Sequence, residues 1–191
     1  MTLILSKKYN PLFDSKARYF IITGGRGSGK SFAVTVFLTL LTMSRGIRVL
    51  FTRFTMTSAH LSIIPEFLEK IGLLGFDEVF SINKKEVLNT KNDSDILFRG
   101  IRTSAGNQTA SLKSLQGIST WVLDEAEELV DENIFDTIDL SIREKNIHNR
   151  VILILNPTTK EHWIYKRFFE DKGIEGGFNG VKDNVCYIHS T

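Results

Sequence analysis

The chain has 191 residues, 42% of them hydrophobic and 24% charged, with three prolines and a formal net charge of +2. That length fits one domain able to bury roughly 70% of its unfolded surface, and the composition excludes a disordered or fibrous chain. A single cysteine, Cys186, excludes an intramolecular disulfide and fits a reducing cytoplasm, while so small a net charge leaves local basic clusters as the place to look for nucleic-acid contact.

The N-terminus, "MTLILSKKYNPLF", carries its apolar residues before its lysines and has no small-residue cleavage site, so it does not read as a secretory signal. "RYFIIT", from Arg18 to Thr23, is aromatic and β-branched and reads as a buried strand running into "GGRGSGKS", Gly24 to Ser31. After Lys30 the apolar residues recur at helical spacing through Met43, and "SRG" with Gly46 supplies a stop. The apolar stretch from Phe32 to Met43 is about 12 residues, too short for a bilayer, and reads as a core helix.

"IRVLFTRF" is predicted to be a second strand, and "TSAHLSIIPEFLEKIG" a helix interrupted at Pro65 and stopped at Gly72. From Val79 to Arg99, short alternating segments broken by "NKK" and "KNDSD" predict a small antiparallel excursion of two or three strands, the least core-like part of the chain. "STWVLDEAEEL" reads as a buried strand ending at an acidic pair, and "VDENIFDTIDLSIREK" as an amphipathic helix. "RVILILNP" follows as a strand, "KEHWIYKRFFE" as a helix and "NVCYIHS" as a last strand. Strands alternating with helices imply an α/β fold of three layers with a mostly parallel central sheet.

Gly24, four residues, then Gly29, Lys30 and Ser31 form the Walker A spacing, placed between a strand and a helix as that motif requires. Gly24, Gly25, Arg26, Gly27, Ser28 and Gly29 would bring backbone N–H groups to phosphates, aided by the dipole of the following helix. Lys30 would reach the β- and γ-phosphates, and the Ser31 hydroxyl a magnesium ion. Asp124, ending an apolar strand, sits where a Walker B carboxylate holds magnesium. Glu125 beside it suits activation of an attacking water, which favours hydrolysis over transfer to a bound hydroxyl. Glu127 and Glu128 read as acids at the start of the next helix.

Three further residues carry two readings each. Arg26, on the loop itself, is either an arginine finger acting in cis or a solvent-facing charge serving assembly or DNA. Arg143, in "SIREK", is either a finger offered to a neighbouring subunit or a solvated helix-face charge. Asn156 ends a strand where its amide would meet the γ-phosphate or the water, yet Asn-Pro is also a turn initiator.

With "YNPLF", "GGRGSGKS", "SLKSLQGIS", "WVLDEAEEL" and "ILNP" in this order, nearly the whole chain resembles the large terminase subunit of tailed bacteriophages. The resemblance implies a RecA-like ATPase domain of the additional-strand, catalytic-glutamate type, using ATP and Mg2+ to drive double-stranded DNA through a portal into a procapsid. It implies Lys30 and Ser31 for phosphate and metal, Asp124 for metal, Glu125 for the catalytic water, Arg26 as a cis arginine and Asn156 for the coupling motif. Leu155 stands where that motif usually has a small or hydroxylated residue. Tyr9 and Asn10 match the region that contacts adenine. Partners implied are DNA, the portal protein, the small terminase subunit and further copies in a ring, in the bacterial host cytoplasm and without a membrane. Family members continue into a nuclease; this chain stops at "CYIHST", so the expectation is a single ATPase domain over residues 1–191 without nuclease activity.

Arg99, Arg102 and Lys113 lie in a region of few acids and read either as DNA-backbone contacts or as ordinary solvated charge. A small P-loop kinase would need an arginine-bearing lid that is not evident, and a DExx helicase, whose box resembles "DEAE", would need a second RecA-like core. An intact Asp124 and Glu125 argue against a non-hydrolysing scaffold.

Overall fold

β-branched and aromatic runs fold as ten strands of one sheet in the computed structural model, which describes residues 3–56, 59–103, 106–107, 112, 114–157 and 159–191. In chain order the strands are β1 (Tyr19–Gly24), β2 (Arg48–Thr55), β3 (Phe80–Ile82), β4 (Glu86–Asn89), β5 (Asp95–Thr103), β6 (Gly106–Asn107), β7 (Thr120–Asp124), β8 (Arg150–Leu155), β9 (Gly180–Lys182) and β10 (Val185–Ser190). Their spatial order is β3-β4-β5-β2-β7-β8-β1-β10-β9, with β6 beside β5. From β5 to β10 every neighbouring pair is parallel. Strand β8 separates β1 from β7, which is the additional strand that the resemblance implies.

Alternation along each strand sorts side chains into two cores. Phe20 and Ile22 of β1 face helices α2 (Lys30–Leu41) and α3 (Ala59–Leu73), whereas Ile21 faces the side of α4 (Glu132–Asp139) and α5 (Trp163–Tyr165). A single helical turn, α1 (Pro11–Asp14), packs Leu12 into the first core. The second core centres on rings: Phe135 lies 5.1 Å from Trp121, 4.7 Å from Trp163 and 6.2 Å from Phe168. Both indoles are satisfied, Trp121 Nε1 donating to Thr52 Oγ1 at 2.9 Å and Trp163 Nε1 to the Leu129 carbonyl at 2.5 Å.

Several elements depart from the sequence expectation. Pro65 lies inside α3 without ending it; Ile63, Ile64, Phe67 and Ile71 are buried in the first core, and that packing outweighs one missing N–H. The stop is Gly75 instead of Gly72: Gly75 has φ 72°, its N–H bonds the Gly72 carbonyl, and Phe76 N–H reaches back to Ile71, a Schellman ending. The expected excursion is present as β3 and β4, but Phe80, Val87, Ile96 and Phe98 are buried, so it belongs to the core. Helix α4 ends at Asp139, short of Arg143. Arg18 holds the end of the helix and the turn after it, donating to Asp139 O at 3.1 Å and Ile142 O at 3.2 Å, while its guanidinium pairs with the Asp139 carboxylate at 2.7 Å. The expected helix after β8 is only α5, followed by a π-helical turn over Lys166–Glu170. Strand β9, which hairpins onto β10, has no counterpart in the sequence expectation.

Because Phe135 is fully buried among three aromatic rings, Phe135→Ala should cost about 3–5 kcal/mol, read as a lowered urea midpoint. A midpoint within error of the parent would show that α4 is not held to the sheet by this cluster.

Candidate functional site

Strand register brings the candidate residues together. Thr23 pairs with Leu155, Asp124 with Ile154, and Thr52 with Leu123. The carboxyl ends of β1, β8, β7 and β2 therefore finish side by side, and residues 24–31, Asn156, Asp124 and Arg53 emerge on one edge. Residues 26–31, Asn156, Asp124 and Arg53 line a cleft of about 720 Å³ with Phe32, Glu66, Glu125, Glu127 and Glu128.

Glycine is required where β1 ends: Gly24 has φ 152°, and a Cβ there would lie 2.0 Å from the Ser190 carbonyl oxygen. Gly27 and Gly29 take left-handed φ values of 76° and 82°, and α2 starts at Lys30. The loop is braced from behind, since Ser28 O accepts from Tyr9 Oη at 3.1 Å and Ser190 Oγ at 2.7 Å. Lys30 is 8% exposed. Its Nζ donates to the carbonyls of Gly24 at 2.7 Å and Gly25 at 2.8 Å, and to Asn156 Oδ1 at 3.3 Å. Burial pushes the Lys30 ammonium below its ordinary pKa, opposed by the charges of Glu127 and Asp124.

Asp124 is 4% exposed. Burial raises its pKa, and Arg53 pulls it back down. The Arg53 guanidinium grips Asp124 Oδ2 from Nη2 at 2.6 Å and from Nε at 2.8 Å, and Nε stands 3.6 Å from Glu125 Oε2. Glu125 has φ 54°, a left-handed conformation costing a non-glycine residue about 1 kcal/mol. It turns the chain sharply out of β7. The Glu125 carboxyl is also raised, first by burial, with Arg53 opposing. Glu66, from α3, adds a carboxyl raised by burial and eased by Lys70.

Sequence reasoning missed Arg53, Glu66 and Glu127. For Arg53 a signal existed, a charge at the end of the apolar run "RVLFTRF", next to the acidic strand once β2 pairs with β7. Glu127 and Glu128 do not begin a helix: Ala126–Glu128 is a 3-10 turn, and α4 starts at Glu132 with Asp131 as its cap, accepting from Asn133 N at 2.9 Å. Glu127 Oε1 instead accepts from Asn156 Nδ2 at 2.7 Å. Asn156 thus bridges Lys30 and Glu127, more than a turn initiator needs.

Of the other expected residues, Arg26 reaches the cleft and the rest that are described lie away from it. Tyr9 is 4% exposed behind the loop and Asn10 is exposed beside it; neither lines the cleft. Arg26 is exposed at the cleft wall. Arg143 is exposed just past the turn that Arg18 holds at the amino end of β1, hence at the opposite edge of the sheet. Arg99 donates to the Phe98 carbonyl at 2.7 Å, and Arg102 is exposed over the Phe54 ring. Lys113 lies outside the described residues.

A magnesium ion fits the donors present. Ser31 and Asp124 offer hard oxygens on one cleft, and among the described residues no cluster of three or more metal-binding side chains competes with that arrangement. Magnesium beside phosphates uses few protein ligands.

Comparison with known proteins gives a consistent family. The model of the phage terminase large subunit family matches residues 16–191. The terminase large subunit of Bacillus phage SPP1 is 24% identical over 184 residues, covering 86% of this chain and 42% of that protein. The large terminase of a thermophilic bacteriophage superposes with a TM-score of 0.76 at 12% identity, over 99% of this chain and 46% of its own. Structures of that same protein with ADP and with ATP-gamma-S superpose at 0.73 and 0.69. The large terminase ATPase domain of Thermus phage P74-26 superposes at 0.67 with 17% identity, over 97% of this chain and 80% of its own. The chain thus spans less than half the length of the first two of these relatives.

Arg53→Ala leaves the buried Asp124 carboxylate without its counter-charge, which should cost about 3 kcal/mol in nucleotide-free protein. Urea denaturation in the presence of a chelator checks this; an unchanged midpoint would mean that the pair adds nothing to the empty fold.

Proposed function

The chain belongs to the phage terminase large subunit family, and we propose that its cleft binds ATP with magnesium and hydrolyses it to drive double-stranded DNA into a procapsid. The observation that carries this reading is the convergence of Lys30, Asp124, Glu125 and Asn156 on one cleft, with β8 inserted between the strands that bear the two Walker motifs.

Backbone amides of residues 25–31 and the α2 N-terminus cradle the phosphates. Lys30 exchanges the Gly24 and Gly25 carbonyls for phosphate oxygens. Ser31 and Asp124 would hold magnesium, which when bound would supply positive charge beside the transferring phosphoryl group. Glu125 orients a water and takes its proton as the water oxygen bonds to the γ-phosphorus and the β–γ bridging oxygen departs. Arg26, which also lines the cleft, neutralises charge developing in that step. Asn156 contacts the γ-phosphate or the water. Arg143 would act only on a neighbouring copy's site, because it sits at the other edge of its own sheet.

On this reading the partners are DNA, the portal protein, the small terminase subunit and further copies in a ring, in the bacterial host cytoplasm. Arg99 and Arg102, with Lys113, supply salt-sensitive backbone contacts to DNA. No helix among the described residues is long and apolar enough to cross a membrane.

Glu125→Ala should bind ATP normally while steady-state hydrolysis falls at least about 100-fold; unchanged turnover removes Glu125 from the mechanism. Arg26→Ala should lower turnover equally in dilute and concentrated protein, whereas Arg143→Ala should leave dilute protein unaffected. If Arg26→Ala turnover recovers on mixing with Lys30→Ala protein, the finger comes from a neighbour instead.

A further inference from the structure

Glu127 lies outside the Walker residues, yet its geometry is that of a working part. Its Oε1 accepts from Asn156 Nδ2 at 2.7 Å, while its Oε2 is buried without a hydrogen-bond partner. A carboxylate serving only to stabilise the fold would normally have both oxygens satisfied. The two sides of Asn156 fix its amide: Lys30, which can only donate, faces Oδ1, and Glu127 faces Nδ2. Once Lys30 turns to a phosphate, Glu127 is what still fixes the amide, and removing that acceptor would free it to turn over.

The same residue is tied to the helical layer through its backbone. His162 Nδ1 accepts from Ile164 N at 3.2 Å, which leaves Nε2 protonated to donate to the Glu127 carbonyl at 3.2 Å. Two residues on, the Leu129 carbonyl accepts from Trp163 Nε1. The turn Ala126–Glu128 is therefore clamped to the start of α5 at its middle residue and just past its end. A continuous path runs from Lys30 through Asn156 and Glu127 to His162, and its first link must loosen when Lys30 turns to a phosphate.

We propose that Glu127 is a positioning residue: it sets the amide orientation of Asn156 and carries the phosphate state of the cleft to α5 through His162. The proposal rests on the nucleotide-site reading above. In it, an occupied γ-phosphate position draws Lys30 away from Asn156 Oδ1 and the second N–H of the Asn156 amide toward the phosphate. The Glu127 side chain shifts with Asn156, and the turn beneath it passes that shift to His162 and Trp163.

The test uses the whole chain and two readouts other than turnover. One is the ratio of ATP-gamma-S to ADP affinity, by displacement of a fluorescent nucleotide; the other is hydrogen exchange at residues 162–165 with and without ATP-gamma-S. Glu127→Ala should lower the affinity ratio about tenfold and abolish the nucleotide-dependent change in exchange. Asn156→Ala should do the same, and the double variant no more than either alone. Glu127→Gln, which still offers an oxygen to Asn156 Nδ2, should keep most of the ratio. Multiplying effects in the double variant, an unchanged exchange response in Glu127→Ala, or equal losses in Glu127→Gln and Glu127→Ala would each overturn the relay. Lys30→Ala separates the two ideas: if it binds ATP-gamma-S like the parent, the nucleotide site itself is wrong. If it fails to bind while the Glu127 variants behave as the parent, only the relay falls.

Discussion

An ammonium group at the floor of a cleft walled by carboxylates is the constraint on which the rest depends. Lys30 is buried, and burial alone favours its neutral form. The charges of Glu127 and Asp124 oppose that loss, and two carbonyls of its own loop hold the ammonium in place. Asp124, equally buried, is held by Arg53. The empty site therefore neutralises itself with its own side chains. On the proposed function, binding a polyanion and a divalent cation would be an exchange of partners, in which phosphate would replace the Lys30 carbonyls and the cation would replace Arg53. An exchange costs far less than desolvating bare charges would, and each displaced group would carry the occupancy of the cleft to whatever it touches next.

Those charges can meet because four parallel strands end in register. β8 lies between β1 and β7, so Asn156 stands between Lys30 and the acidic turn. β2 lies on the other side of β7, so Arg53 reaches Asp124 from the far flank. Two backbone features complete the geometry. Gly24 lets the loop leave β1 against the Ser190 carbonyl, and the left-handed Glu125 turns the chain straight out of β7. The second core, built on Phe135, Trp121 and Trp163, anchors α4 and α5 beneath that turn.

What the sequence discloses and what it hides divide along local and non-local physics. The loop 24–31, the acidic end of β7 and the parallel α/β layering are legible because each is written in a short run with its own spacing. Arg53 and Glu127 are not, because their importance comes from pairing with residues 71 and 29 positions away. The extent of α4 is hidden because Arg18, more than a hundred residues earlier in the chain, holds its last carbonyl and the turn that follows. Pro65 reads as a break because local propensity ignores the four apolar side chains that hold α3 on the sheet. Tyr9 is non-local in the same way: its hydroxyl supports the phosphate loop from behind, through the Ser28 carbonyl 19 positions on.

The exchange of partners can be seen directly by crystallography of the protein with ATP-gamma-S and Mn2+, the manganese located by its anomalous signal. The account predicts the metal between Ser31 and Asp124, Lys30 on the phosphates and off the Gly24 and Gly25 carbonyls, and Arg53 moved from Asp124 Oδ2. A nucleotide bound outside residues 24–31, or a metal-loaded site in which Arg53 still grips Asp124 as it does in the empty protein, would contradict it.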